Sequence, residues 1–324
     1  MIMAHAIRYR QAGGPEVIEY VEVPEPEPGP GQVAIDVTGV GVNFIETYQR
    51  EGIYAVQYPF VPGGEGAGVI SAVGPEVTTF AVGDRVAWAG IPGSYASRLV
   101  GPADKLLSVP RGLSDEQAAA VPLQGLTAHY LATSTYPIKN GDTVLVHAGA
   151  GGVGLLLTQI AKIKGARVIT TVSTEEKAEL SREAGADEVI VGYTGFADRA
   201  RELTGGEGLP VVYDSVGRDT FDASLSAVRR RGHLVLFGAS SGPVPPVDPQ
   251  RLNDAGSVFL TRPKLGDYTV TRSELLERST ELFAWIGDGR LSVRIGGSYP
   301  LAEAARAQAD LTARKTTGKL ILVP

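Results

Sequence analysis

The chain of 324 residues contains no cysteine. That absence excludes disulfides, zinc–thiolate sites, iron–sulfur clusters and a cysteine nucleophile. Basic charge is in short supply: Lys and Arg total 30 against 36 Asp and Glu, a formal net charge of −6. Without a strongly basic balance, nucleic acid is not expected as a main partner. Long apolar runs are missing as well. Charge interrupts each of them well short of the ~20 residues of a membrane span, and MIMAHAIRYRQ lacks the apolar stretch of a signal peptide. These absences predict a soluble, cytoplasmic protein with no membrane partner. The four histidines, His5, His129, His147 and His233, show no ligand spacing, so no metal site is expected. His147 and His233 read as packed strand residues.

What is present is ordinary for a globular protein: 43% hydrophobic and 20% charged residues. At ~150 residues per domain the length predicts about two domains. The first third is β-rich. VIEYVEVP, QVAIDVTGVGV, GVISAVG and DRVAWAG are short runs of Val, Ile and aromatics, closely punctuated by Gly and Pro. Pro24 to Gly31 is a stiff turn, Asn43 to Arg50 a helical turn, and Ser114 caps a helix over Asp115–Ala120.

From Gly125 the period lengthens. TVLVHA, RVITTV, DEVIVGY, PVVYDSVG and HLVLFGA read as strands. Between them VGLLLTQIAKIKG, TEEKAELSREAG, GFADRARELTG and TFDASLSAVRRRG read as helices. Alternating apolar strands and helices predict a parallel sheet covered by helices. After Arg262 the pattern changes again. SELLERSTELFAWIGDG predicts an amphipathic helix with Leu275, Leu276, Leu282, Phe283 and Ile286 on one face. A short helix over AEAARAQADLTA and the strand KLILVP close the chain. This tail is too short to stand alone. We therefore expect it to rejoin the N-terminal unit: residues 1–124 with 263–324 around an inserted α/β block at 125–262.

Ala148 to Gly154, AGAGGVG, satisfies G-x-G-x-x-G through Gly149, Gly151 and Gly154. The string follows a strand and opens a helix inside a βαβ unit, the context in which it cradles a pyrophosphate. Small residues permit close backbone approach, and the helix N-terminus offers free N–H groups and partial positive charge. An NAD site usually places Asp or Glu at the end of the next strand. Here Val172-Ser173-Thr174 stands there, with Lys177 shortly after, which suits a 2′-phosphate and hence NADP. Glu175 and Glu176 complicate that reading. Ser173-x-x-Glu176 fits a capping box, which gives those acids a local explanation. Tyr48, Tyr54, Tyr58 and Phe60 gather near Asn43, either as loop packing or as the lining of a pocket for a flat ligand.

Together, NFIETYQREGIY, GGEGAGVI, VGDRV, LQGLTAHYL, AGAGGVG, VVYDSVGRDTF, RRRGHLVLFGASSG, LTRP and RKTTGKLILVP run the length of the chain. With them it resembles the medium-chain dehydrogenase/reductase superfamily. Within it, the chain is similar to the NADPH-dependent quinone oxidoreductases of the zeta-crystallin-like branch. The resemblance implies a Rossmann doubly wound parallel sheet inserted in a discontinuous GroES-like β-rich catalytic domain. It also implies a homodimer through Rossmann edge strands, here GSVFLTRP. Gly64 precedes Glu65 where zinc-dependent members carry His, and their catalytic cysteine is missing too. Zinc-independent hydride or electron transfer from NADPH to a quinone is the expectation, with a quinone or other conjugated carbonyl as the substrate. A 2-alkenal or enone reductase and a non-catalytic, crystallin-like or RNA-binding NADPH protein stay open beside it.

Carried over by motif, Asn43, Tyr48 and Tyr54 would face the nicotinamide and substrate as the catalytic residues. Thr127 would touch the nicotinamide side. Ala150, Gly151, Gly152 and Val153 would hold the pyrophosphate. Ser173, Lys177, Tyr193 and Arg314 would surround the 2′-phosphate of NADPH. Phe237, Gly238, Ser240, Leu260 and Arg262 would flank the nicotinamide half.

Overall fold

Alternating apolar residues and frequent turns in the first third fold into antiparallel strands. The computed structural model describes residues 3–324. β1 (Met3–Tyr9) and β2 (Ile18–Pro24) form a hairpin. β3 (Gln32–Val42) pairs antiparallel with β4 (Glu65–Val73), and α1 (Phe44–Arg50) lies between them in sequence. β5 (Arg85–Ala89) extends the sheet beside β4. β6 (Arg98–Pro102) pairs with the first half of β3, and β7 (Leu106–Ser108) pairs with β5. α2 (Asp115–Ala120) is capped by Ser114, whose Oγ accepts from the Gln117 N–H at 3.1 Å. α3 (Pro122–Tyr130) follows.

Strands and helices then alternate. They run β8 (Thr143–Val146), α4 (Gly152–Ile163), β9 (Arg167–Val172), α5 (Glu175–Glu183), β10 (Glu188–Val191) and α6 (Phe196–Leu203). They continue with β11 (Leu209–Asp214), α7 (Phe221–Ala227), β12 (Val228–Leu236), α8 (Gln250–Asp254) and β13 (Phe259–Thr261). The sheet order is β10-β9-β8-β11-β12-β13, and every pairing is parallel. Read from its first strand, this is the doubly wound order, with its switch point between β8 and β11. The chain ends with α9 (Arg272–Gly287), β14 (Ile295–Pro300), α10 (Ala304–Thr312) and β15 (Lys319–Val323). β15 pairs antiparallel with the end of β3, Leu320 opposite Val42.

Two compact units result. The first takes residues up to 126 with Thr269–Gly287 and Val293–Pro324; the second takes Thr127–Tyr268 and Asp288–Ser292. The change of spacing ends the α/β block at 262, whereas the compact unit runs on to Tyr268. There the Tyr268 ring stacks on Tyr130, centroids 4.2 Å apart.

Two local expectations are corrected. Val228–Arg230 is not the end of a helix but the start of β12, since the sheet offers Val228 a backbone partner in Leu209. Strand pairing outweighs the helix propensity of three arginines. A register shift between Leu209 and Val211, with Arg231 at φ +55°, absorbs the mismatch. On α9, Leu276 is exposed, and Trp285 is buried beside Leu275, Leu282 and Phe283.

In the first unit β3, β4 and β15 meet at an ion pair. Lys319 at the head of β15 bonds Glu65 at the head of β4, and both are buried. Gly41 on β3 leaves the room. A β-carbon there would lie 2.2 Å from Glu65 Oε2 and 2.6 Å from Lys319 Cε. Gly41→Ala should therefore lower stability by about 1–3 kcal/mol, the usual cost of overpacking. A urea midpoint equal to that of the parent would contradict this reading of the crossing.

Candidate functional site

In a parallel sheet every strand ends on the same edge, so the loops that follow gather there. The turn after β8 is the tightest of them. Ala148 takes φ +52°. A β-carbon on Gly154 would sit 2.2 Å from the Ala148 carbonyl oxygen, and one on Gly149 would sit 2.6 Å from Thr170 Cβ. Gly151 is the N-cap of the twelve-residue helix α4 and has no side chain to cap it. The first N–H groups of α4 thus keep their donor capacity and the positive end of its dipole. Ala150, Gly151, Gly152 and Val153 all lie in this turn. A pyrophosphate fits here by backbone alone.

At the end of β9 the expected Ser173 cap is corrected. The N-cap of α5 is Thr174, whose Oγ1 accepts from the Lys177 N–H at 3.3 Å. Ser173 is left exposed at the strand end, and its Oγ accepts from Lys177 Nζ at 3.3 Å. Glu175 turns along the helix to Arg182 at 2.9 Å. The strand end therefore presents a hydroxyl and an ammonium, with its nearest carboxylate engaged elsewhere. Tyr193 follows β10 and is half-buried; Phe237, Gly238 and Ser240 follow β12; Leu260 lies on β13 and Arg262 just after it. Gly238 permits a close approach, since a β-carbon would lie 2.5 Å from the Ser215 carbonyl oxygen. Thr127 is buried in α3.

Beneath these loops lies a buried polar network that the sequence did not reveal. Asp214, at the end of β11, accepts from the Val216 and Gly217 N–H groups at 2.8 and 2.9 Å, and from the Thr220 and Ser224 hydroxyls, each at 2.8 Å to Oδ2. His147 joins it through Ser224 at 2.9 Å. Burial drives the His147 imidazole down to about 4, so it is neutral. Asp214 and Thr220 fall within the VVYDSVGRDTF string, but nothing in it points to His147 or Ser224 as their partners.

Asn43, Tyr48, Tyr54 and Arg314 belong to the first unit. Asn43 caps α1 and its N–H donates to Glu46 Oε2 at 2.7 Å. Its carboxamide is committed on both sides. Oδ1 accepts from Lys319 Nζ at 2.7 Å and from Gln124 Nε2 at 3.4 Å. Nδ2 donates to Glu65 Oε2 at 2.9 Å and to the Gly41 carbonyl at 3.3 Å. Glu65 Oε1 accepts from the Leu123 N–H at 2.7 Å. Tyr48 lies on α1, and Tyr54 packs edge-on against it, centroids 5.4 Å apart. Ile45 and Ile53, close to these rings in sequence, are exposed. Arg314 follows α10, exposed, at φ +57°. Lys319 and Glu46 were missed. Asn43-x-x-Glu46 was a readable capping signature, while a lysine at the head of an apolar strand gave no sign of its buried partner.

Among the described residues no three His, Asp or Glu side chains converge as metal ligands. Glu65 spends its carboxylate on Lys319, Asn43 and Leu123. The residues therefore do not fit a catalytic zinc.

Comparison with known proteins supplies context for this geometry. The family described as "Alcohol dehydrogenase GroES-like domain" matches residues 29–111, and that described as "Zinc-binding dehydrogenase" matches residues 152–280. The chain is 48% identical to a quinone oxidoreductase of Pseudomonas aeruginosa, over 99% of this chain and all of that protein. It is 43% identical to a 2-haloacrylate reductase of a Burkholderia species, over all of this chain and 99% of that one. A mycobacterial protein solved in complex with NADPH is 55% identical and superposes with a TM-score of 0.96, covering 99% of this chain and all of its own.

Glu46 offers a test of the electrostatics under α1. It is fully buried, and burial pushes its carboxyl up to about 8 against the pull of the Lys319 ammonium. Its folded value lies above its ordinary 4.5, so the folded state holds the proton more tightly. Its contribution is fully present below the ordinary value and is lost as pH rises toward 8. Glu46→Gln should flatten the fall of stability between those values by up to about 1.4 kcal/mol per pH unit. Urea unfolding across that range would contradict this if parent and variant kept equal slopes.

Proposed function

Because this chain belongs to the quinone oxidoreductase family of the medium-chain dehydrogenases and reductases, we propose that it passes reducing equivalents from NADPH to a quinone. The observation that carries the choice of cofactor is the end of β9, where Ser173 and Lys177 stand in place of a carboxylate. Ala150 to Val153 hold the pyrophosphate on the helix N-terminus. Lys177 neutralises the 2′-phosphate, and Ser173 and Tyr193 bond it. Thr127, Phe237, Gly238, Ser240, Leu260 and Arg262 enclose the nicotinamide half. Asn43, Tyr48 and Tyr54 are the proposed catalytic residues, with the two tyrosine rings receiving the acceptor.

NADPH, when bound, supplies the hydride. What these residues add is placement and exclusion of water. A quinone asks for no metal, because hydride addition gives a phenolate whose charge spreads over the ring. The hydroxyl of Tyr48 is the candidate to polarise the acceptor carbonyl or deliver its proton. Asn43 cannot share that task without breaking its bonds to Lys319 and Glu65, so it acts by holding the head of α1.

The kinship with a 2-haloacrylate reductase supports a second reading, hydride addition to an activated carbon–carbon double bond in the same pocket. No helix among the described residues is long and apolar enough to cross a membrane. We place the protein in the cytoplasm, where NADPH is regenerated. We also propose a homodimer through β13. This edge strand pairs on one side only and leaves Phe259 58% exposed.

With 1,4-benzoquinone, NADPH should be oxidised rapidly and NADH slowly. 2-Cyclohexenone turned over faster than the quinone would favour the second reading. Lys177→Ala should lower kcat/KM for NADPH by about tenfold or more while sparing NADH, as befits loss of one charge-assisted contact. Equal effects on the two cofactors would remove Lys177 from the 2′-phosphate site. Tyr48→Phe should cut kcat by more than about tenfold, and an unchanged kcat would end its role as acid.

A further inference from the structure

His147 touches supports on both sides of the glycine turn of the proposed cofactor site. Its backbone runs directly into the glycine turn at Ala148. Its Nδ1 lies 2.7 Å from Thr171 Oγ1, two residues before Ser173. Its Nε2 lies 2.9 Å from Ser224 Oγ, and the hydroxyl of Ser224 in turn reaches Asp214 Oδ2 at 2.8 Å. Tyr193, another member of the 2′-phosphate group, meets the imidazole edge-on at 5.9 Å, and Phe196 does so at 4.7 Å. All of these atoms lie within the second unit.

The directions of the bonds follow from the inventory of donors. Asp214 offers only acceptors, so the single proton of Ser224 points to it. Ser224 Oγ must then accept from His147, which puts the imidazole proton on Nε2. A neutral imidazole has only a lone pair left on Nδ1, so the Thr171 hydroxyl donates to it. One ordered chain runs from Thr171 through His147 and Ser224 to Asp214. It crosses the ends of β9, β8 and β11 and spends every proton once.

We infer that His147, as the Nε2–H tautomer, is a positioning residue for the cofactor, tying the pyrophosphate turn to the segment that holds the 2′-phosphate. Its loss should loosen the spacing between the glycine turn and Ser173, and so weaken NADPH more than NADH. This rests on NADPH being the cofactor.

Two measurements test it. In protein labelled with 15N-histidine, the His147 ring at neutral pH should carry its proton on Nε2; an Nδ1–H tautomer or an imidazolium would overturn the assignment. His147→Phe keeps the ring packing and removes both hydrogen bonds. Calorimetric titration should show NADPH bound about tenfold more weakly, with a smaller loss for NADH, since the buried bond to Thr171 at the 2′-phosphate end is gone. At saturating NADPH, kcat should stay within about threefold of the parent, as expected for a change in cofactor binding alone. Equal losses for both cofactors, or none, would overturn the inference. Thr171→Val removes one hydroxyl at nearly constant volume; it should shift the two affinities in the same unequal way even if the phenylalanine variant fails to fold. Failure of the parent to bind NADPH would instead overturn the cofactor reading.

Discussion

There is no room for a side chain where the turn after β8 meets the first turn of α4. The Ala148 carbonyl oxygen stands 2.2 Å from where a β-carbon of Gly154 would be. On the other side, a β-carbon on Gly149 would lie 2.6 Å from Thr170 Cβ. These two approaches bring helix and strand together closely enough for the free N–H groups of α4 to face the edge where every strand of the sheet ends. The second unit's own loops of the proposed site are arranged around that contact. Ser173 and Lys177 are one strand away on one side, and the Asp214 loop is one strand away on the other.

Each unit supports its loops with buried polar groups, and the two use different chemistry. In the second unit the network is held by hydroxyls, one neutral imidazole and one carboxylate that takes four donors. Every group there is satisfied, which is what makes such a network rigid rather than costly. In the first unit the support is ionic. Lys319 and Glu65 are each about fully buried, at 1% and 0% exposure, and share Asn43 between them. Burying two charges is repaid only by close geometry and further hydrogen bonds. Asn43, Leu123 and the space left by Gly41 supply both. Breaking one partner would leave the other charged and dry.

Much of this was legible in the sequence because local and tertiary preferences agree along most of the chain. The shift from hairpin spacing to strand–helix alternation marked a parallel sheet. The glycine string was informative because of the strand before it and the helix after it. The failures occurred where a distant partner decides. Val228–Arg230 reads as helix until Leu209 offers it a strand. Ser173 and Thr174 are equivalent caps on paper; with Thr174 as the cap, the Ser173 hydroxyl is left to accept from Lys177 instead. His147 reads as a packed strand residue, and it is packed, but its partners come from residues 171 and 224, which no spacing connects. Lys319 looks like an ordinary lysine because its burial is set by Glu65 and Asn43, more than 250 positions earlier.

Hydride passing from NADPH to a quinone is tested most directly by an anaerobic single turnover of the NADPH-bound protein with 1,4-benzoquinone, using NADPH with hydrogen or deuterium at the transferred position. One hydroquinone should form per NADPH consumed, more slowly with deuterium. NADPH that binds tightly yet is not oxidised when the quinone is added would contradict it.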